Sequence, residues 1–317
     1  MNKFKRLLTV LFFSFSIIAF SQTINEAGNT LNDGINFNKG GDISSAIQSY
    51  NECVDICNLL GVEGDELKAQ AQKQLVSLHY KEGISFYISK KYEEAINKFK
   101  ISAKLAKETG DTKAVKKANN IIPKVYCSEG MTLLKGKKYA DANLSFNKSI
   151  KLSPSHTKAF YGNVLVSKYQ KHDDNIITAA KKIIDLGKDG DKYVNKSKSV
   201  IKKYFLASGT ESLKKMDYIN ALKDLTLSTN YGIVEADTYY YIALSNIGLK
   251  KWDDGIVSSN KAIELEKEDK SDFYFVLGKA YEGKADNTAA CTAYKNVTSG
   301  PNVKAAIYQI EIVIKCK

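Results

Sequence analysis

Small and large apolar residues recur along this chain at fixed offsets. A glycine is followed by an alanine twelve positions on and by a large apolar or aromatic residue sixteen positions on. The sets are Gly34, Ala46 and Tyr50; Gly83, Ala95 and Phe99; Gly130, Ala142 and Phe146; Gly209, Ala221 and Leu225; and Gly278, Ala290 and Tyr294. Two degenerate copies stand in phase with these. In 160–186, Val164 and Ile176 take the glycine and alanine positions; in 239–265, Ala243 and Gly255 do. Polar breaks rich in lysine and glycine interrupt the pattern at 39–42, 90–91, 135–138, 214–215, 250–251 and 283–284. The apolar spacing between breaks is helical, so the pattern predicts an all-α chain of helix–turn–helix units. Small residues mark where paired helices approach closely, and the aromatics fill the space beside them. One pair cannot bury its own apolar faces, so neighbouring pairs must stack.

These residues resemble the tetratricopeptide motif, W-x2-L-G-x2-Y…A-x3-F…P, which has a 34-residue period. Leu277, Gly278 and Tyr281 fit its opening, Pro154 closes the third copy, and 262–265 reads Ala-Ile-Glu-Leu, a common closing phrase of the family. The resemblance implies an α-solenoid of about seven repeats over residues 22–317. Successive markers lie 49, 47, 34, 45, 34 and 35 apart, so three intervals carry extra residues. The inserts at 65–78 and 112–124 are charged and helix-friendly, as in lengthened first helices. The third, near 187–199, is more polar and is expected as a loop or as a seam between two halves. Asn302 can cap a final helix over 302–315. That helix carries Ala306, Ile307, Ile310, Val313 and Ile314 on one face, and it would cap the last repeat.

The first residues belong to a different pattern. Lys3, Lys5 and Arg6 precede a nearly unbroken apolar run at 7–20, and 19–21 offers the small-x-small spacing a signal peptidase reads. Residues 1–21 are therefore expected to be a secretory signal peptide. The run of 14 residues is short of the roughly 20 that span a bilayer. The expected site of action is the periplasm or cell envelope, or outside the cell. Net charge is +12, and +9 once Lys3, Lys5 and Arg6 are removed. Arg6 is the only arginine, and the lysines are spread along the chain. Bidentate phosphate recognition is arginine's speciality, so nucleic acid is not an expected partner.

Candidate chemistry is sparse. His79, His156 and His172 lack metal-ligand spacing, and no phosphate-cradling glycine loop or nucleophile elbow is present. No catalytic residue, metal or cofactor is expected, and the chain is read as not an enzyme. Cysteine is odd-numbered. Cys53 and Cys57 share a helix face and read as packing residues. Cys291 and Cys316 lie where antiparallel packing brings two helix ends near each other, so a bridge between them is left open.

What remains is surface. The resemblance implies that first helices line a concave groove where peptides bind, with the residue three before each marker facing it. Those positions include Leu31, Tyr80, Cys127, Tyr161, Tyr240 and Phe275, and one turn further come Tyr87 and Tyr169. The candidate groove is Tyr80, Tyr87, Tyr161, Tyr169, Tyr240 and Phe275, an aromatic face suited to peptides; the alternative is that these rings close the core. The lysine–asparagine clamp for a C-terminal carboxylate, known in the family, is not reproduced. The expected function is a protein-binding scaffold of the bacterial cell envelope. The rivals are a self-associating structural solenoid and a carbohydrate- or cell-wall-binding adaptor.

Overall fold

The computed structural model describes residues 23–187 and 190–316. The expected signal peptide lies outside the described residues. All regular structure among the described residues is helical. The helices are α1 (23–40), α2 (Ile43–Leu60), α3 (Asp65–Ile88), α4 (Tyr92–Glu108), α5 (Thr112–Lys135), α6 (Tyr139–Leu152), α7 (Thr157–Gln170) and α8 (Asp173–Leu186). They continue as α9 (Lys192–Lys214), α10 (Tyr218–Thr229), α11 (Ala236–Gly248), α12 (Trp252–Leu265), α13 (Ser271–Gly283), α14 (Asn287–Lys295) and α15 (Val303–Tyr308). None of them is long and apolar enough to cross a membrane.

The chain divides into two compact units, one up to Gly162 and one from Asn163. Each unit is a short α-solenoid of stacked helix pairs, in which α2 to α6 and α8 to α15 each pack on the next. The division falls inside α7, not at the seam expected near 187–199. That segment is helical from Lys192, because Asp191 accepts hydrogen bonds from the amides of Tyr193 and Val194 and so caps α9. The third insert thus lengthens a first helix, as the other two do: α3, α5 and α9 run 24, 24 and 23 residues. The first two long helices are pinned along their extra length. Ser102 Oγ donates to the Val76 carbonyl at 2.8 Å, and Ser149 Oγ to that of Pro123 at 2.7 Å.

The marker glycines sit where the periodicity placed them. A Cβ on Gly34, Gly83, Gly130 or Gly278 would lie within 2.7 Å of the ring of Tyr50, Phe99, Phe146 or Tyr294 respectively. The degenerate copies trade volume instead. Val164 at the marker is matched by Ala180 sixteen on, and Ala243 by Ser259, with all four buried.

Seven positions after every marker the backbone turns left-handed. Gly41 does so at φ 83°, and Lys90, Lys137, Lys171, Met216, Lys250 and Ala285 at 56–62°. The next amide then donates to the carbonyl five residues back, as Lys91 does to Phe86 and Lys138 to Leu133, both at 2.9 Å. This closes the first helix of each pair.

The C-terminal segment departs from a plain helix. After α15 the chain widens into a π-helical turn over Gln309–Val313. Ala306, Ile310 and Ile314 pack against Phe275, Tyr294 and Val297, whereas Ile307 and Val313 are 46% and 48% exposed. The wider turn brings Ile314, not Val313, onto the buried face after Ile310. Asn302 does not cap with its side chain; its Nδ2 donates to Asp272 Oδ1 at 2.9 Å. Cys291 and Cys316 are joined in a disulfide, with Cα atoms 5.9 Å apart.

Candidate functional site

Tyr80 and Tyr87 stand on the first-helix face of the N-terminal unit. Both are half-buried. The Tyr80 ring packs 5.2 Å from that of Phe99, and Lys117 Nζ from α5 lies 4.2 Å from its centroid. Burial pushes the Tyr80 hydroxyl's pKa up, so it stays a neutral donor. The Tyr87 hydroxyl shares a 2.8 Å hydrogen bond with Ser128 Oγ, tying α3 to α5. Between these helices lies a cleft of about 480 Å³. α3 contributes Lys73, Val76, Tyr80, Lys81 and Ile84 to it, and α5 contributes Lys117. Its floor is apolar and aromatic, and its rim is basic.

The other candidate residues differ in their exposure. Tyr161 is half-buried in the N-terminal unit. In the C-terminal unit, Tyr169 is 53% exposed, with Lys168 Nζ 5.5 Å from its ring. Tyr240 is half-buried between Tyr241 and Phe273, at 5.4 and 5.5 Å. Burial first, and then Asp272, push its hydroxyl's pKa up. Phe275 is a core residue, 8% exposed and 5.7 Å from the Tyr294 ring, and it offers no groove surface. Leu31 and Cys127 are buried as well. The physical reason is local. Where a ring stands sixteen after a marker glycine it lies across that glycine, and Phe99 and Tyr294 reach the side chains three before, Tyr80 and Phe275. This position therefore closes the core as much as it faces outward.

The lysines were not singled out by the sequence, where each reads as a solvated helix residue. The usable signal was the pair of inserts, since Lys73, Val76 and Lys117 all lie in them. A second cleft of about 690 Å³ in the same unit is lined by Glu93, Glu94, Glu129, Lys100 and Lys148 around Tyr126. Its charges are mixed, and Glu129 already accepts from Ser145 Oγ at 2.8 Å.

A left-handed turn seven after the marker recurs in every repeat, and in four of them the marker glycine closes on a ring sixteen on. The helix pairs are tetratricopeptide-like. No protein-family model and no curated protein matches the sequence. Among solved structures, the tetratricopeptide protein YrrB, described as having an unusual peptide-binding site, is 16% identical. The match covers 62% of this chain and 95% of YrrB at a TM-score of 0.35. The tetratricopeptide domain of P58(IPK) is 12% identical over 91% of this chain and 98% of its own, with a TM-score of 0.35. The TPR2AB domain of yeast Sti1, in complex with an HSP90 peptide, is 18% identical over 90% and 95%, with a TM-score of 0.32. At such identities and scores, the tetratricopeptide-like reading stands on the chain's own repeat geometry.

Proposed function

We propose that the chain is a non-enzymatic, protein-binding scaffold of the bacterial cell envelope. It takes partner peptides or proteins on the first-helix faces of its repeats. The observation that carries this reading is the cleft beneath Tyr80, where an aromatic floor stays accessible between two successive first helices. A tyrosine ring offers large contact area and a polar tip at low entropic cost. Two features support an exported location. The N-terminal charge and apolar pattern is that of a secretory signal, and the Cys291–Cys316 bridge suits an oxidising compartment. The remaining cysteines are buried, and burial pushes the Cys53 and Cys127 thiols up to about 11, which leaves them unreactive.

The test is affinity capture from envelope extract by residues 22–317, beside Tyr80→Ala and Tyr169→Ala. Tyr169→Ala removes an exposed ring and should change stability by no more than about 0.5 kcal/mol. A partner captured by the parent and lost from either variant, at unchanged helix content, supports the reading. Capture indifferent to both would move the site off the first-helix faces. Fractionation of tagged full-length chain tests location, and recovery in the cytosol would remove the envelope from the proposal.

A further inference from the structure

The cleft between α3 and α5 exists because those helices are lengthened. Lys73, Val76, Ser77, Ala114 and Lys117 all come from the two inserts. It thus joins regular repeat positions, Tyr80, Lys81 and Ile84, to residues that the inserts add. Its charge is one-sided. Lys73, Lys81 and Lys117 line it, all are exposed, and none makes an ion pair among the described residues. The one carboxylate in the lining, Asp111, is committed to capping α5, where it accepts from the Ala114 amide at 2.9 Å. The neighbouring Glu82 of α3 is turned to Lys98, 2.7 Å away. Three cations therefore surround an apolar floor of Val76, Tyr80 and Ile84 against a single lining carboxylate, Asp111, whose Oδ1 already caps α5.

We infer that this cleft binds an acidic polypeptide segment. An aromatic or aliphatic side chain of the partner sits on Val76, Tyr80 and Ile84, and carboxylates flanking it meet Lys73, Lys81 and Lys117. The inference deepens the protein-binding reading and rests on it. The volume of about 480 Å³ lies in the usual range of ligand sites, so a few residues enter and the rest of the segment lies along the helices. Lysine is a flexible point charge that tolerates carboxylates in varied positions. A phosphate backbone would instead favour arginine forks, and the described residues contain none. Complementary charge steers the encounter and makes it salt-dependent.

The experiment uses fluorescence anisotropy on residues 22–317 with three labelled probes. These are an eight-residue peptide of glutamates around one phenylalanine, its glutamine counterpart and an oligodeoxythymidine. The acidic peptide should bind and weaken as salt rises, with the glutamine peptide at least about tenfold weaker. Lys81→Glu combined with Lys117→Glu should abolish binding at unchanged helix content. Lys223→Glu, in the C-terminal unit, should not. Equal binding of the two peptides, no binding of the acidic one, indifference to the charge reversal, or tighter binding of the oligonucleotide each overturns the inference. Partner capture that depends on Tyr80 but not on Lys81 and Lys117 would leave the scaffold reading standing while the acidic segment falls.

Discussion

Six residues other than glycine hold the left-handed turn between paired helices, and for an L side chain that conformation costs roughly 1–2 kcal/mol. Lys90 is exposed at φ 60° and makes no ion pair among the described residues. Lys90→Gly should therefore raise stability by about 0.5–1 kcal/mol, the relief exceeding glycine's entropic cost. The urea midpoint should rise at unchanged slope, and an unchanged or lower midpoint would show the turn is unstrained. Asp224 gives a second prediction. It is 5% exposed and accepts from Ser208 Oγ at 2.6 Å. Burial is the main cause that raises its pKa above 3.8, with Asp173 and Asp217 adding to it. A raised folded pKa stabilises the fold below about 3.8 and loses that contribution as pH climbs through the folded value. Asp224→Asn keeps the acceptor without the charge. It should melt higher than the parent at pH 7, and the gap should close towards pH 3.5. The marker residues were legible in the sequence because close approach leaves only glycine, alanine or a compensated pair. The residue three before the marker was not. Periodicity places Phe275 on a face but does not reveal that the Tyr294 ring lies across it.

Second helices solve their N-terminal electrostatics in one of two ways. α2, α10 and α14 begin with Asp42, Asp217 and Asp286, whose side chains cap, and they carry no acid in the first turn. α4, α6, α8 and α12 begin with Lys91, Lys138, His172 and Lys251, which do not cap, and each carries Glu or Asp in the first turn. Either device answers the positive end of the helix dipole. The backbone at Lys138, φ −84° and ψ 71°, nearly matches that at Asp217, φ −84° and ψ 75°. Lys138→Asp should thus complete a cap and add about 1 kcal/mol. Hydrogen exchange of the first α6 amides should slow, and no change would mean that Asp141 already satisfies that end. At this scale the sequence was informative where charge and helix propensity agreed, as in the inserts of α3 and α5. It failed at 192–199, where polarity suggested a loop or a seam. A single capping Asp191 and buried Val194, Ser197 and Ile201 made it a helix. It failed again at the C-terminus, because nothing in a hydrophobic period marks a π turn.

At the scale of the molecule, the repeat architecture was readable and the division at Gly162 was not, since α7 continues through it without a break in pattern. The C-terminal end depends on its bridge. α15 has six residues, far below the length of about 12–15 at which a helix holds alone, and only Ala306 in it is buried. Cys316→Ser should destabilise this end by about 2–4 kcal/mol, the usual worth of a disulfide. Amides of 303–314 should lose exchange protection while those of α11 and α12 keep theirs; protection retained throughout would show that apolar packing suffices. Thiol titration of the unreduced, denatured protein should find the three free cysteines, Cys53, Cys57 and Cys127. The traded volumes at Val164 with Ala180 and at Ala243 with Ser259 carry a consequence for sequence change. Altering either member alone leaves a clash or a void, and each costs about 1–3 kcal/mol or more. A single-site mutational scan would score both members as intolerant, whereas a pairwise library would recover them as interchangeable couples. The two positions are epistatic. A repeat of this chain crosses from glycine-and-ring to alanine-and-serine through a weakened intermediate that its stacked neighbours must hold folded.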